Sequence, residues 1–114
     1  MATDRTFELR TYRSAPGKLE ALLSRFRDHT VALFAEHGLG VLGFWTAADV
    51  DDPTTGTLVY ICFFDSREAA QKAWGAFRID PRWIAAYQES EVDGKLTTSI
   101  ESLFMKPTDF SPVR

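Results

Sequence analysis

The sequence is poor in the residues that most often announce chemistry. Its 114 residues include one cysteine and two histidines. A lone Cys62 closes no intramolecular disulfide and builds no cysteine-rich metal site. It lies in the apolar run LVYICFF, where a small buried thiol is the structural reading; a reactive thiolate would need a cationic neighbour. No apolar run approaches the roughly 20 residues of a membrane span. The N-terminal MATDRTFEL lacks the apolar core of a secretory signal and is too short for a transit peptide before the first strand. A soluble, cytoplasmic protein is expected. No run of Lys or Arg occurs, and a net charge of −3 with a pI near 5.3 gives nucleic acid no footing. The P-loop, the G-x-G-x-x-G turn and the nucleophile elbow are also missing, so nothing points to a nucleotide or a flavin.

What is present is apolar and aromatic. Hydrophobic residues make up 45% and charged residues 25%, values of an ordinary globular domain, while nine Phe, three Trp and three Tyr bring aromatics to 13%. Rings carry large buried area and suit a compact core, an interface or a pocket for a flat ligand. With no repeat, linker or low-complexity segment, residues 1–114 read as a single domain, its core about 6–106 and its tail 107–114 extended along a surface.

Residues 6–13 alternate with period two and read as a strand. Pro16 then opens a helix over 16–37, capped by Ser14 or Ala15, with Leu19, Leu22, Leu23, Phe26, Thr30, Leu33 and Phe34 on one face and Gly38 as the stop. Residues 40–47 read as a second strand and 48–56 (ADVDDPTTG) as an exposed acidic loop. Residues 57–64 form the clearest strand, so apolar that burial on both faces is expected. Ser66 caps a second helix buried through Ala69, Ala70, Ala73, Trp74 and Phe77 and ending near Arg78. Asp80-Pro81 starts a short helical piece with Trp83, Ile84 and Tyr87 on one side; Asp93-Gly94 turns into a last strand over 96–105.

The order βαββαβ is the ferredoxin-like, α+β arrangement: a four-stranded antiparallel sheet with helices on one face. If Phe7, Leu9 and Thr11 lie beneath the helices, Glu8, Arg10 and Tyr12 occupy the open face. Large apolar groups also reach that face whichever register holds: Trp45 or Phe44, Tyr60 or Ile61, Leu103 or Phe104. Such a patch marks an association surface. Sheet-to-sheet pairing in a homodimer is therefore expected, with Glu8, Arg10 and Tyr12 facing the partner and Tyr12 nearest a pocket rim.

Four separated stretches bear a family resemblance: FELRTYRSAPGKLEALLSRFRDHT, EHGLGVLGFWT, SREAAQKAWGAFRIDPRW and SIESLFMKPTDFSP. Together they resemble the NIPSNAP family over residues 7–112, most specifically in the E-L-R-T-Y strand, the H-G pair, the run Trp74, Phe77, Asp80, Pro81, Trp83, and the closing P-T-D-F-S-P. The resemblance implies a ferredoxin-like subunit of the dimeric α+β barrel superfamily. It implies no reaction that could be carried over residue by residue. The vesicle and mitochondrial signalling roles of larger eukaryotic members are not expected here, because the extra N-terminal region they use is lacking. Members of the superfamily use the helix–sheet cleft for cofactor-free oxidation, isomerisation or cyclisation, or for haem. Haem is disfavoured, because neither the second helix nor the segment after it has a histidine to serve as an axial ligand. No cofactor is expected.

Candidate site residues can be named on that frame. His29 sits at the edge of the apolar stripe, where it is either a general base in a crevice or a boundary histidine satisfied locally. Arg10 and Tyr12 could polarise a ligand oxygen. Trp45, Tyr60, Trp74, Trp83 and Tyr87 could wall a pocket for a small, mostly apolar or aromatic molecule, or simply fill the core. His37 lies in the last helical turn and suits the dipole; eight residues from His29, about 12 Å along the axis, it cannot share a metal with it. Asp49, Asp51 and Asp52 lack the alternation of a calcium loop. No metal site is expected. A cofactor-independent enzyme or binding protein and a ligand-free homodimeric interaction module both remain open: a cavity beside His29 favours the first, a filled core the second.

Overall fold

The computed structural model describes residues 4–49 and 56–114. Strand β1 (Thr6–Ser14) leads through a turn into a helical rod made of α1 (Leu19–Arg25), a π-helical turn (Phe26–Thr30) and α2 (Val31–Glu36). Strands β2 (Gly40–Thr46) and β3 (Thr57–Phe64), helices α3 (Arg67–Arg78) and α4 (Pro81–Ser90), and strand β4 (Thr97–Met105) follow. The sheet runs in the order β2-β3-β1-β4 with every neighbouring pair antiparallel. Helices cover one face, so the ferredoxin-like α+β fold expected from the element order is the one formed. None of these helices is long and apolar enough to cross a membrane. Asp51, Asp52 and most of the acidic 48–56 loop lie outside the described residues.

Local signals explain most boundaries. Ser66 Oγ accepts from the Ala69 N–H, and Asp80 Oδ1 accepts from the Arg82 N–H with Pro81 in the first turn. Gly38 leaves the first rod at φ +79°, a left-handed position that favours glycine. The start of the rod is different from expectation. Ser14 does not cap it but ends β1, its buried Oγ accepting from the Gly56 N–H; Gly17, at φ +72°, turns the chain, and the helix begins at Leu19 without a side-chain cap. The rod itself is widened at Phe26–Thr30, where Thr30 Oγ1 donates back to the Arg25 carbonyl.

The faces of the sheet are reversed from the expectation. Glu8, Arg10 and Tyr12 point beneath the helices, opposite Cys62, Tyr60 and Leu58 of β3 and Phe104, Ser102 and Ile100 of β4. Leu9 and Thr11 are on the open face; they do not lie under the helices, and Glu8, Arg10 and Tyr12 do not face outward. Phe7 shares the open face yet is buried, because the tail residues Pro107 and Val113 border the same recess. Burial on both faces of β3 is also corrected: Leu58, Tyr60, Cys62 and Phe64 are buried, and the alternate residues are half-buried. A row of Ile61, Leu9 and Leu103 crosses the open sheet, with Trp45 and Leu103 exposed at 52% and 58%.

The covered face holds the core, in which Phe26, Phe34, Tyr60, Trp74 and Phe77 meet edge to face. Cys62 is fully buried there. Burial, and secondly Glu8, push its thiol up to about 12. Folded protein at about pH 8 is therefore expected to leave Cys62 untouched by a disulfide reagent, while the unfolded chain reacts fully; rapid labelling of the native state would contradict this placement.

Candidate functional site

Arg10 is the centre of a polar cluster inside the aromatic core. Its Nε donates to Tyr60 Oη at 3.1 Å, Nη1 to Glu8 Oε2 at 3.1 Å, and Nη2 to Tyr12 Oη at 3.0 Å. The two phenolic oxygens lie 2.8 Å apart. Glu8, only 2% exposed, also accepts from Trp74 Nε1 at 2.7 Å and from Ser102 Oγ at 2.6 Å. The Arg10 guanidinium stacks over the Trp74 ring, 4.4 Å from its centroid.

Burial disfavours the Arg10 charge, but the Tyr12 and Tyr60 oxygens and Glu8 outweigh it and hold the guanidinium above its ordinary value. Burial, then Tyr12, push the Tyr60 hydroxyl well above the usual phenol range, against the pull of Arg10. Tyr60 is thus a proton donor at neutral pH and not a base. A permanent cation beside phenolic hydroxyls is suited to holding negative charge that develops on a ligand oxygen.

Above this cluster is a cavity of about 130 Å³. Arg10 and Tyr12 bound it from the sheet, Phe26 and Thr30 from the π-helical turn, Trp74 from α3, and Trp83 and Tyr87 from α4. Five of the anticipated residues, Arg10, Tyr12, Trp74, Trp83 and Tyr87, therefore meet around one space. Tyr60 stands behind Arg10 and Tyr12, with no exposed surface. Trp45 is apart, on the open sheet face. His29 is apart as well: it is exposed and lines an outer groove with Asp28, Ala86 and Glu89, because the widened turn aims Phe26 and Thr30 inward. His37 Nε2 lies 2.7 Å from Asp80 Oδ2, joining the end of α2 to the start of α4. Arg82 and His37 together hold the Asp80 carboxyl well below the usual range.

Glu8, two residues from Arg10 on the same face, pairs with it as that spacing allows. One contributor went unanticipated. Arg25, 5% exposed, also lines the cavity; its Nη1 donates to Ser90 Oγ at 3.2 Å and lies 3.4 Å from Glu91 Oε2, while its Nε–H meets no acceptor among the described residues. The sequence signal for Arg25 was its position three residues after Leu22, a cation on the apolar stripe. A larger recess of about 600 Å³ runs between α2 and the β2–β3 edge, mostly apolar, with Arg5 and Asp65 among its lining; Phe34 borders both spaces.

The NIPSNAP family model matches residues 7–112. The chain belongs to the NIPSNAP family. Two NIPSNAP family proteins of Agrobacterium tumefaciens have similar structures. One is 25% identical with a TM-score of 0.83, covering 100% of this chain and 95% of that one. The other, described as of unknown function, is 24% identical with a TM-score of 0.81, covering 100% and 97%. A cofactor-independent oxygenase of Streptomyces nogalater has the same fold at 14% identity and a TM-score of 0.58, covering 96% and 99%. No curated protein matches the sequence.

Within this NIPSNAP domain, Glu8→Gln removes the charge that balances buried Arg10. It is expected to destabilise the fold by about 3–5 kcal/mol in a denaturant titration. Replacing both residues with Met should cost less than the sum of the two single changes, because the ions are lost together. Equal, additive costs would contradict the coupling of the pair.

Proposed function

We propose that this NIPSNAP protein is a cytoplasmic homodimer that binds a small, flat, mostly apolar molecule between its helices and sheet, and acts on it without a cofactor. The carrying observation is the cavity in which Trp74, Trp83 and Tyr87 wall a space above Arg10 and Tyr12. Aromatic walls with few polar groups are the usual make-up of a small-molecule site. In this reading Arg10 and Tyr12 polarise a ligand oxygen and Tyr60 orients them. His29, outside the cavity, has no part in the chemistry. The cofactor-independent oxygenase of similar fold supports action without a cofactor by analogy, and a Streptomyces coelicolor monooxygenase solved with nanaomycin D, 17% identical with a TM-score of 0.59, covering 92% of this chain and 88% of that one, supports a small-molecule site.

Dimerisation is supported by the Ile61–Leu9–Leu103 row and by Trp45 on the open sheet, an apolar surface that a second copy would remove from water. Leu103→Glu is expected to yield folded monomer in sedimentation; a variant that remains dimeric would move the interface elsewhere.

The test of the whole reading is native mass spectrometry on untagged protein purified gently from its host. A dimer carrying an extra small mass is expected. A bare dimer would favour the alternative, a ligand-free interaction module. A monomer would overturn the role given to the open face.

A further inference from the structure

We infer that the cavity selects an anion: a single flat ring bearing a carboxylate or an enolate oxygen, held by Arg25. This rests on the reading above for the existence of a ligand and adds its charge and size.

The lining is electrostatically one-sided. Arg10, Arg25 and Arg78 border the cavity and, among the described residues, no Asp or Glu does, although the chain as a whole carries a net charge of −3. Arg10 is already balanced by Glu8 at 3.1 Å. Arg25 is not equally satisfied. Its only ion-pair partner among the described residues is Glu91 at 3.4 Å, a long contact to Nη1, and its buried Nε–H meets no acceptor. Native interiors rarely leave such a donor unmatched, and a guanidinium edge matches a carboxylate in shape.

The Arg25 guanidinium carbon lies 5.3 Å and 5.2 Å from the ring centroids of Trp83 and Tyr87. Contacts of that kind hold the planar cation by its face and leave in-plane N–H groups for a ligand. The π-helical turn starts immediately after Arg25, and π-helical turns are frequent at functional sites. Size narrows the ligand class. A volume of about 130 Å³ is close to that of cavities that hold one benzene ring.

The experiment is a 19F NMR titration of the intact protein with 4-fluorobenzoate and its neutral, similarly shaped counterpart 4-fluorobenzamide. The benzoate is expected to bind about tenfold more tightly or better, the scale of one charge-assisted contact. Arg25→Gln should bring the two affinities to within about twofold of each other. Glu91→Gln keeps an acceptor for the Leu96 N–H but removes the competing charge, and should tighten benzoate several-fold. Equal binding of both probes by the native protein would overturn the anion inference and leave the cavity reading intact. Binding of neither would overturn both. A charge preference that survives in Arg25→Gln would overturn the role given to Arg25. Should that variant fail to fold, unchanged benzoate affinity in Glu91→Gln would overturn it instead.

Discussion

The rest of the structure is arranged around one buried ion pair, Glu8 with Arg10. Taking two charges out of water costs several kcal/mol per ion, and their attraction offsets this only when the remaining lone pairs and N–H groups are also matched. Here they are matched by residues from three other elements: Trp74 of α3, Tyr60 of β3 and Ser102 of β4. The pair therefore ties one helix and two neighbouring strands to β1. A one-residue slip of β1 would carry Glu8, Arg10 and Tyr12 to the other face and strand all their partners. Register and helix docking are thus set by the same contacts.

The site follows from that arrangement. Because the polar island occupies the covered face, the aromatic rings of α3 and α4 close over a cation and a phenol as well as over aliphatic groups. Arg25 brings a second cation from the opposite layer, its Nε–H without an acceptor among the described residues. The open face is the complement. With Glu8, Arg10 and Tyr12 turned inward, the aliphatic row of Ile61, Leu9 and Leu103 crosses it beside Thr11 and Glu101, and the tail covers the end at Phe7. One sheet thus carries a buried polar cluster beneath its helices and an aliphatic row on its open face.

Much of this was legible in the sequence because it depends on local physics. The period-two runs, the Ser66 cap, Asp80-Pro81 opening α4 and Gly38 closing the first rod each act over a few residues, and the order of elements restricts the topology. The resemblance to the NIPSNAP family was readable for a similar reason: its motifs are contiguous. Arg10, Tyr12, Trp74, Trp83 and Tyr87 were legible as candidates because rings and a buried-prone cation stand out in strands and helices. The sequence could not say which parity of β1 lies beneath the helices. Both faces of a central strand can be apolar, so alternation alone does not choose. The choice was made by the indole N–H of Trp74 and the hydroxyl of Ser102, 66 and 94 residues from Glu8 along the chain. The place of His29 was open for a related reason: helical spacing set it at the edge of the apolar stripe, and with the turn widened at Phe26–Thr30 it lines an outer groove. Sequence alone determined the elements, their order and the family; tertiary structure decided which face each side chain serves, because burial of charge is settled only by partners that the fold brings from far away.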